Sequence, residues 1–356
     1  EDRGLLGKRM ENSKRHQVTT NSFGVLSVPI YDLKSKEPFR PYTQQTSGHS
    51  PFHSLSDNLL LKPFDSEKEL WFYNYLHTYS KENHNDLQFH GYLKWVPAFK
   101  GCCMLDDEAL QKTSFVSNPW SVRLHEGAEE RDIVPRQRLY LVLENLSANF
   151  SRPSILDLKL GTVTVGNTNP NQKMRKRHIW KCGETTSSQL GLRICGMQVF
   201  FPNNEGGKYS YYGKYEGREV KKEGMATELG KYFHNGNRLR REVVKEFISK
   251  IIELVKFMEE NNFFAFYSSS LLLLYEGEGE ICRVNLKLID FSEVYPINEG
   301  HDVKAVKEES NEGMLLGLQN ILHYFKILGN DQEKIRIQPL DPSIVPTVEK
   351  PEKWWK

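Results

Sequence analysis

Cysteine is scarce and unpatterned in this chain: Cys102, Cys103, Cys182, Cys195 and Cys282 make an odd five, and no two stand at C-x-x-C spacing. That excludes a disulfide framework and the common zinc spacings, and a reducing compartment is the simplest reading. Charge of one sign is also lacking. The formal net charge is +2 over 356 residues, so no global field draws the chain to nucleic acid or a membrane, and an anion site has to come from local clusters. No apolar run approaches the roughly 18 residues of a membrane span; the greasiest stretch, Leu271 to Leu274, is strand-sized. The start, EDRGLLGKRM, carries no signal-peptide pattern and no initial Met, as expected of a chain trimmed at its N-terminus. The sequons at Asn145 and Asn149 are then expected to be accidental. Several catalytic fingerprints are missing. GLRICGMQ (191–198) has the glycine spacing of a phosphate loop without its Lys and Ser/Thr. G-x-G-x-x-G, H-R-D, D-F-G, G-x-S-x-G and H-E-x-x-H do not occur, which excludes a dinucleotide fingerprint, an ordinary protein kinase, an α/β-hydrolase and a zincin.

What is present supports a sizeable core, with 38% hydrophobic and 12% aromatic residues. Residues 1–50 are polar and weakly periodic and read as a tail, partly ordered at most. NLLLKPF (58–64) reads as a short strand and SEKELWFYNYLHTYS (66–80) as a helix with Ser66 as N-cap. FHGYLKWVPAF (89–99) alternates like a strand pair, 100–137 reads as a loop-rich insertion, and RLYLVLENL (138–146) as a strand. The stretch 151–162 reads as a strand closed by Gly161, and 170–190 as a basic helix. A strand pair follows at 192–201 and 207–215, then helices at 225–236 and 238–262, the latter with Leu239, Val243, Phe247, Ile251 and Leu254 as its apolar stripe. Residues 266–277 and 284–294 read as paired strands, 313–328 as a closing helix, and the proline-bearing 331–356 as an irregular tail. The order predicts an α+β chain in two lobes, 51–145 and 146–330, with no internal repeat.

Three patterns carry chemistry. In PSILDLKLG (153–161) a strand puts Asp157 and Lys159 on one face. Such a pair can hold a carboxylate near an acceptor and an ammonium near a transferring phosphoryl group; equally, Asp–Lys pairs are common on solvated strand faces. Lys173, Arg177 and Lys181 fall at i, i+4 and i+8 of the basic helix, a stripe that reads as a solvated face, a nuclear-localisation patch or a polyanion clamp. His234, Arg238 and Arg241 form a second basic group.

The segment 153–161 also matches the P-x-x-x-D-x-K-x-G signature of the inositol polyphosphate kinase family. NPWSVRLH (118–125), 174–200, KYFHNG (231–236), FYSSSLL (266–272) and LIDFSEV (288–294) resemble the inositol hexakisphosphate kinase branch in order and spacing, over roughly 58–328. The resemblance implies the two-lobed fold of that family, distantly like a protein kinase, with inositol-phosphate-binding segments near 170–190 and 225–245. It implies ATP and Mg2+ as cofactors. Lys62 would contact the ATP phosphates, steadied by Glu69; Glu144 and Leu146 would lie at the adenine-binding hinge; Ser270 would lie near the phosphates; Asp290 would hold the metal. Asp157 and Lys159 would be catalytic, and the two basic groups would bind the substrate. Ser292-Glu293 departs from the family's usual continuation after the aspartate. The implied reaction is phosphoryl transfer from ATP to inositol hexakisphosphate, giving a diphosphoinositol. A multikinase or trisphosphate kinase acting on a ring hydroxyl, or a non-catalytic inositol-phosphate sensor, are the alternatives. The expected setting is cytoplasmic or nuclear, as a monomer, with no nucleic acid or membrane partner.

Overall fold

A computed structural model describes residues 14–20, 24–32, 39–82, 87–105, 119, 138–166, 171–203, 205–280, 282–297, 303–330, 335–347 and 351. Most of the expected insertion, 106–118 and 120–137, lies outside the described residues, as does NPWSVRLH (118–125) apart from Pro119. The chain divides into two units, Glu1–Ala148 and Asn149–Lys356.

The first unit is built on a seven-stranded sheet in the order β1-β2-β6-β7-β5-β4-β3. Its strands are β1 (Lys14–Thr20), β2 (Gly24–Asp32), β3 (Arg40–Pro41), β4 (His53–Ser56), β5 (Leu59–Pro63), β6 (Phe99–Leu105) and β7 (Arg138–Glu144). Of residues 1–50, which the sequence reads as a tail partly ordered at most, 14–20 and 24–32 form β1 and β2: these pair antiparallel, and β2 runs parallel to β6 with Ile30 opposite Cys102. Leu26 and Val28 of β2 are buried with Ser27 exposed between them, although Pro29 interrupts the run. Leu55, Leu59, Leu61, Cys103, Tyr140 and Val142 form the core of this sheet.

Helix α1 (Glu67–Glu82) starts as predicted, the Glu69 N–H donating to Ser66 Oγ. The strand pair expected over 89–99 is corrected to helix α2 (Leu87–Trp95), with strand only from Phe99. Phe89, Tyr92, Trp95 and Val96 are buried at helical spacing, and Leu93 and Lys94 point outward. The ring of Phe89 packs on Tyr79 and Tyr75 of α1. Packing therefore overrides the strand preference of the aromatic residues.

The second unit holds a five-stranded antiparallel sheet in the order β10-β9-β8-β12-β13. Its strands are β8 (Pro153–Leu160), β9 (Leu192–Phe201), β10 (Lys208–Tyr212), β12 (Ser270–Glu276) and β13 (Val284–Ile289). Helices α3 (Gln172–Gly183) and α4 (Ser187–Leu190) precede β9, and α5 (Lys214–Glu219) follows β10. Helices α6 (Met225–Phe233), α7 (Arg241–Glu260) and α8 (Val303–Gly329) complete the unit. Val243, Phe247, Ile251 and Leu254 face inward from α7 as the stripe predicts. Leu239 instead precedes the helix, in a β-bridge with His234. Tyr232, Phe233, Phe247, Tyr275 and Phe325 meet ring to ring.

The two strands expected over 266–277 and 284–294 each break in two. β11 (Phe264–Tyr267) pairs with β14 (Glu293–Pro296) as a separate two-stranded sheet, while β12 pairs with β13. The breaks fall at Ser268, with φ +57°, and Asp290, with φ +62°. Left-handed backbone at non-glycine residues is held only where surrounding structure over-determines it, commonly at functional sites.

Candidate active site

The break between the two sheets of the second unit turns backbone toward β8. The Leu160 N–H donates to the Ser269 carbonyl at 2.9 Å, and the Lys159 ammonium donates to the Ser268 carbonyl at 2.6 Å. The same ammonium meets Asp290 Oδ2 at 3.2 Å. The Lys159 side chain is 13% exposed and that of Asp290 34%, so the ammonium is held while the carboxylate still reaches solvent. Asp157, two positions upstream on β8, is 1% exposed. The sequence-predicted Asp157, Lys159 and Ser270 are therefore gathered on adjoining strands with Asp290 just past the end of β13: Ser270 of β12 is the register partner of Lys159 on β8 and of Ile289 on β13. The hydroxyls of Ser269 and Ser270 are buried with no hydrogen-bond partner among the described residues. Gly161 takes φ +98° directly after β8, and its N–H donates to the Gly191 carbonyl, so the chain turns there as the glycine predicts.

On the other side of β8, Lys159 is opposite Arg193 of β9. Arg193 is buried, and its guanidinium donates to Ser187 Oγ at 2.8 Å. Around it gather Arg177, His178 and Lys181 from α3 and Arg218 from α5. Burial, then the charges of Arg193, Arg218 and Arg177, push the Lys181 ammonium down to about 7. Burial and Lys181 push His178 down to about 4, against the Thr164 backbone hydrogen bond and Glu293. Burial, with Arg193 beside it, also lowers Arg218. Like charges so close disfavour one another's charged form, and an anion seated among them relieves that repulsion. A surface groove of about 610 Å³ runs along α3, lined by Gln172, Lys173, Lys176, Arg177 and Trp180. The predicted stripe thus divides: Lys173 and Arg177 are exposed and Lys181 is half-buried.

Arg193 and Arg218 were not singled out by the sequence. Arg193 could have been found from the pairing of 192–201 with the D-x-K strand, whereas Arg218, in a short helix, carries no sequence signal. The second basic group lies in a different setting. Arg238 forks onto Glu242 at 2.9 and 3.0 Å and reaches Glu280 at 2.7 Å. Buried Arg240 also pairs with Glu242. Burial works to raise the Glu242 carboxyl, but hydrogen bonds from Arg238 and Arg240 prevail and hold it down at about 2. His234, lowered by burial, accepts the Gly236 N–H, and Arg241 opens α7. Arg238 is thus engaged by carboxylates rather than gathered with Lys181.

In the first unit, Lys62 of β5 meets Glu69 of α1 at 2.8 Å, the pair the sequence anticipates. Glu144 closes β7: its N–H donates to the Ala98 carbonyl and its carboxylate accepts the Ala98 N–H. Leu146 is buried in the turn that follows.

A buried Asp–Lys strand, a carboxylate at a left-handed strand end and a crowd of cations are the chemical groups a phosphate ligand would need. A family model for inositol polyphosphate kinase matches residues 140–326, just over half the chain; the chain belongs to the inositol polyphosphate kinase family. It is 30% identical over 236 residues to inositol hexakisphosphate kinase 3 of Mus musculus, covering 61% of this chain and 58% of that one. It is 38% identical over 190 residues to inositol hexakisphosphate kinase 1 of Rattus norvegicus, covering 52% and 43%. The chain thus spans about half the length of these relatives. Its fold resembles that of the inositol phosphate multikinase of S. cerevisiae, solved with ADP and Mn2+, with TM-score 0.52, 23% identity, and coverage of 76% of this chain and 98% of that one.

Proposed function

We propose that this chain is an ATP-dependent kinase that transfers the γ-phosphoryl group to a phosphate of inositol hexakisphosphate, giving a diphosphoinositol. The observation that carries the reading is the convergence of Arg177, Lys181, Arg193 and Arg218, with Arg193 in register with Lys159. Such crowding fits a ligand with several phosphates better than one with a single anionic group. The nearby hexakisphosphate kinases support the choice of substrate.

ATP fits the residues present. In the first unit Lys62, steadied by Glu69, offers a point charge for phosphate oxygens; in the second unit, taken by itself, the Ser269 and Ser270 hydroxyls, which have no partner among the described residues, are suited to donate to phosphate. A divalent ion such as Mg2+ is commonly held by one or two carboxylates together with phosphates and water. Asp290, partly exposed at a strand end, is the carboxylate that would hold it. When bound, such an ion neutralises charge developing on the phosphate oxygens. Lys159, already fixed by Asp290 and the Ser268 carbonyl, is positioned to stabilise the transferring phosphoryl group. A phosphate acceptor is ionised at neutral pH, so no strong base is required. Asp157 then orients neighbouring groups rather than removing a proton, and positioning dominates the rate enhancement.

Incubation with ATP, Mg2+ and a panel of inositol phosphates, with products resolved by charge, tests the reading. Conversion of the hexakisphosphate is expected. Conversion only of inositols with free hydroxyls would assign a multikinase activity instead, and tight binding without turnover a sensor.

A further inference from the structure

Residues 335–347 cross the second unit as a strap and reach the helix that carries Arg218. From 335 to 338 its residues alternate inward and outward: Ile335 and Ile337 are half-buried, Arg336 and Gln338 exposed. Ile337 fills the space above Gly230 of α6, where a Cβ would sit 2.2 Å from Ile337 Cδ1 and 3.1 Å from Leu328 Cδ2 of α8. The segment then turns at Asp341, whose side chain accepts the Ser343 N–H and hydroxyl at 2.8 and 2.7 Å. After exposed Ile344 and Val345, Pro346 is buried again. The Thr347 N–H donates to Glu216 Oε1 at 2.6 Å. A Cβ at Gly213 would sit 2.6 Å from Glu216 Oε2, 3.3 Å from the Thr347 carbonyl and 3.4 Å from Pro346 Cβ. Gly213 is the N-cap of α5, so the strap and the Glu216 carboxylate close over the start of that helix.

Helix α5 has six residues, far too few to hold itself by its own hydrogen bonds. On its inner side Gly217 presses on β9, where a Cβ would meet the Ile194 carbonyl at 2.2 Å. On its outer side lies the strap. The next residue, Arg218, lies over the Tyr215 ring at 5.1 Å, and burial first, then Arg193 and Arg177, lower its affinity for its proton. A short helix that carries a charge into such company needs clamping from both sides.

Resting on the kinase reading above, we propose that residues 335–347 are a positioning strap for the polyphosphate site. By clipping α5 through Glu216, Pro346 and Thr347, the strap holds Arg218 in the cation cluster. Its release weakens polyphosphate binding and leaves ATP binding unaffected. Glu216 acts through Arg218 and touches no substrate.

Full-length Glu216→Ala and Glu216→Gln test this, alone and on an Arg218→Ala background. Gln keeps an acceptor for the Thr347 N–H; Ala does not. Glu216→Ala is expected to weaken calorimetric binding of inositol hexakisphosphate about tenfold, with KM for ATP and the Glu216→Gln affinity both within about twofold of wild type. On the Arg218→Ala background, Glu216→Ala should add no further loss, because the two act through one group. Hydrogen exchange of the 214–219 amides should quicken in Glu216→Ala, a readout that needs no ligand. Unchanged exchange, an equal loss of both substrates, or additive losses would each overturn the strap. A wild-type chain that neither binds nor converts the hexakisphosphate would overturn the kinase reading instead, with the exchange measurement still deciding whether the strap clamps α5.

Discussion

Lys159 illustrates how much of this chemistry rests on single residues. Its ammonium is fixed by one charged and one neutral acceptor, so it is preorganised before any substrate arrives. Lys159→Ala is expected to lower kcat by about 10²–10³-fold with a near-native thermal midpoint, measured by steady-state kinetics and calorimetry. Near-normal turnover would remove its assigned role. Lys181 makes a prediction of the opposite kind, about protons. With the free ammonium at about 7, a bound polyanion raises its proton affinity, so binding above that pH takes up a proton and weakens as pH rises. Calorimetry at pH 8 in buffers of differing ionisation enthalpy should detect the uptake, and Lys181→Arg, which stays charged, should remove it. In the ligand-free protein the sign is the other way. Between about 7 and the ordinary lysine value of 10.5 the unfolded chain binds more protons, so this residue's contribution to stability grows with pH across that window. His178, held down at about 4, stays neutral near physiological pH.

Among the elements, the two-stranded β11/β14 sheet has an outsized part, because its departure from β12/β13 creates the Ser268 and Asp290 turns. Asn311 of α8 supports it: its side chain accepts the Phe266 N–H and donates to the Phe264 carbonyl. Asn311→Ala leaves two buried backbone groups of β11 without that amide and should destabilise the protein by about 1–3 kcal/mol, read as a lower urea midpoint at unchanged slope. Strand and helix positions here were largely legible in the sequence; the splits at Ser268 and Asp290 were not. Nothing local in SSS or IDF demands a left-handed residue; the neighbouring sheet imposes it. Similarly, 89–99 alternates acceptably as strand, and only the contact of Phe89 with Tyr75 and Tyr79 makes it helix. The candidate site was legible where its residues sit in one strand, as Asp157 and Lys159 do. It was harder to read where strand pairing brings residues together, as with Arg193, which only the pairing of 192–201 with the D-x-K strand points to, and illegible for Arg218, in a short helix with no sequence signal.

At the scale of the whole chain, the family match begins within β7 and runs through most of the second unit. The first unit contributes the Lys62–Glu69 pair and a sheet that draws in residues 14–20 and 24–32, which composition alone reads as part of a tail. On the proposed reading, Lys62→Ala should raise KM for ATP by about tenfold, the loss of one charge-assisted phosphate contact. Affinity for the inositol polyphosphate should be unchanged, as checked by kinetics at varied ATP and by calorimetry without nucleotide.

Inositol hexakisphosphate has no free ring hydroxyl, so any phosphoryl group it gains must join an existing phosphate. The decisive measurement is phosphorus NMR of inositol hexakisphosphate after incubation with this chain, ATP and Mg2+. A paired set of diphosphate resonances on the inositol, absent with Lys159→Ala, is the predicted result. An unchanged hexakisphosphate spectrum, with active protein consuming only inositols that keep a hydroxyl or consuming none, would contradict it.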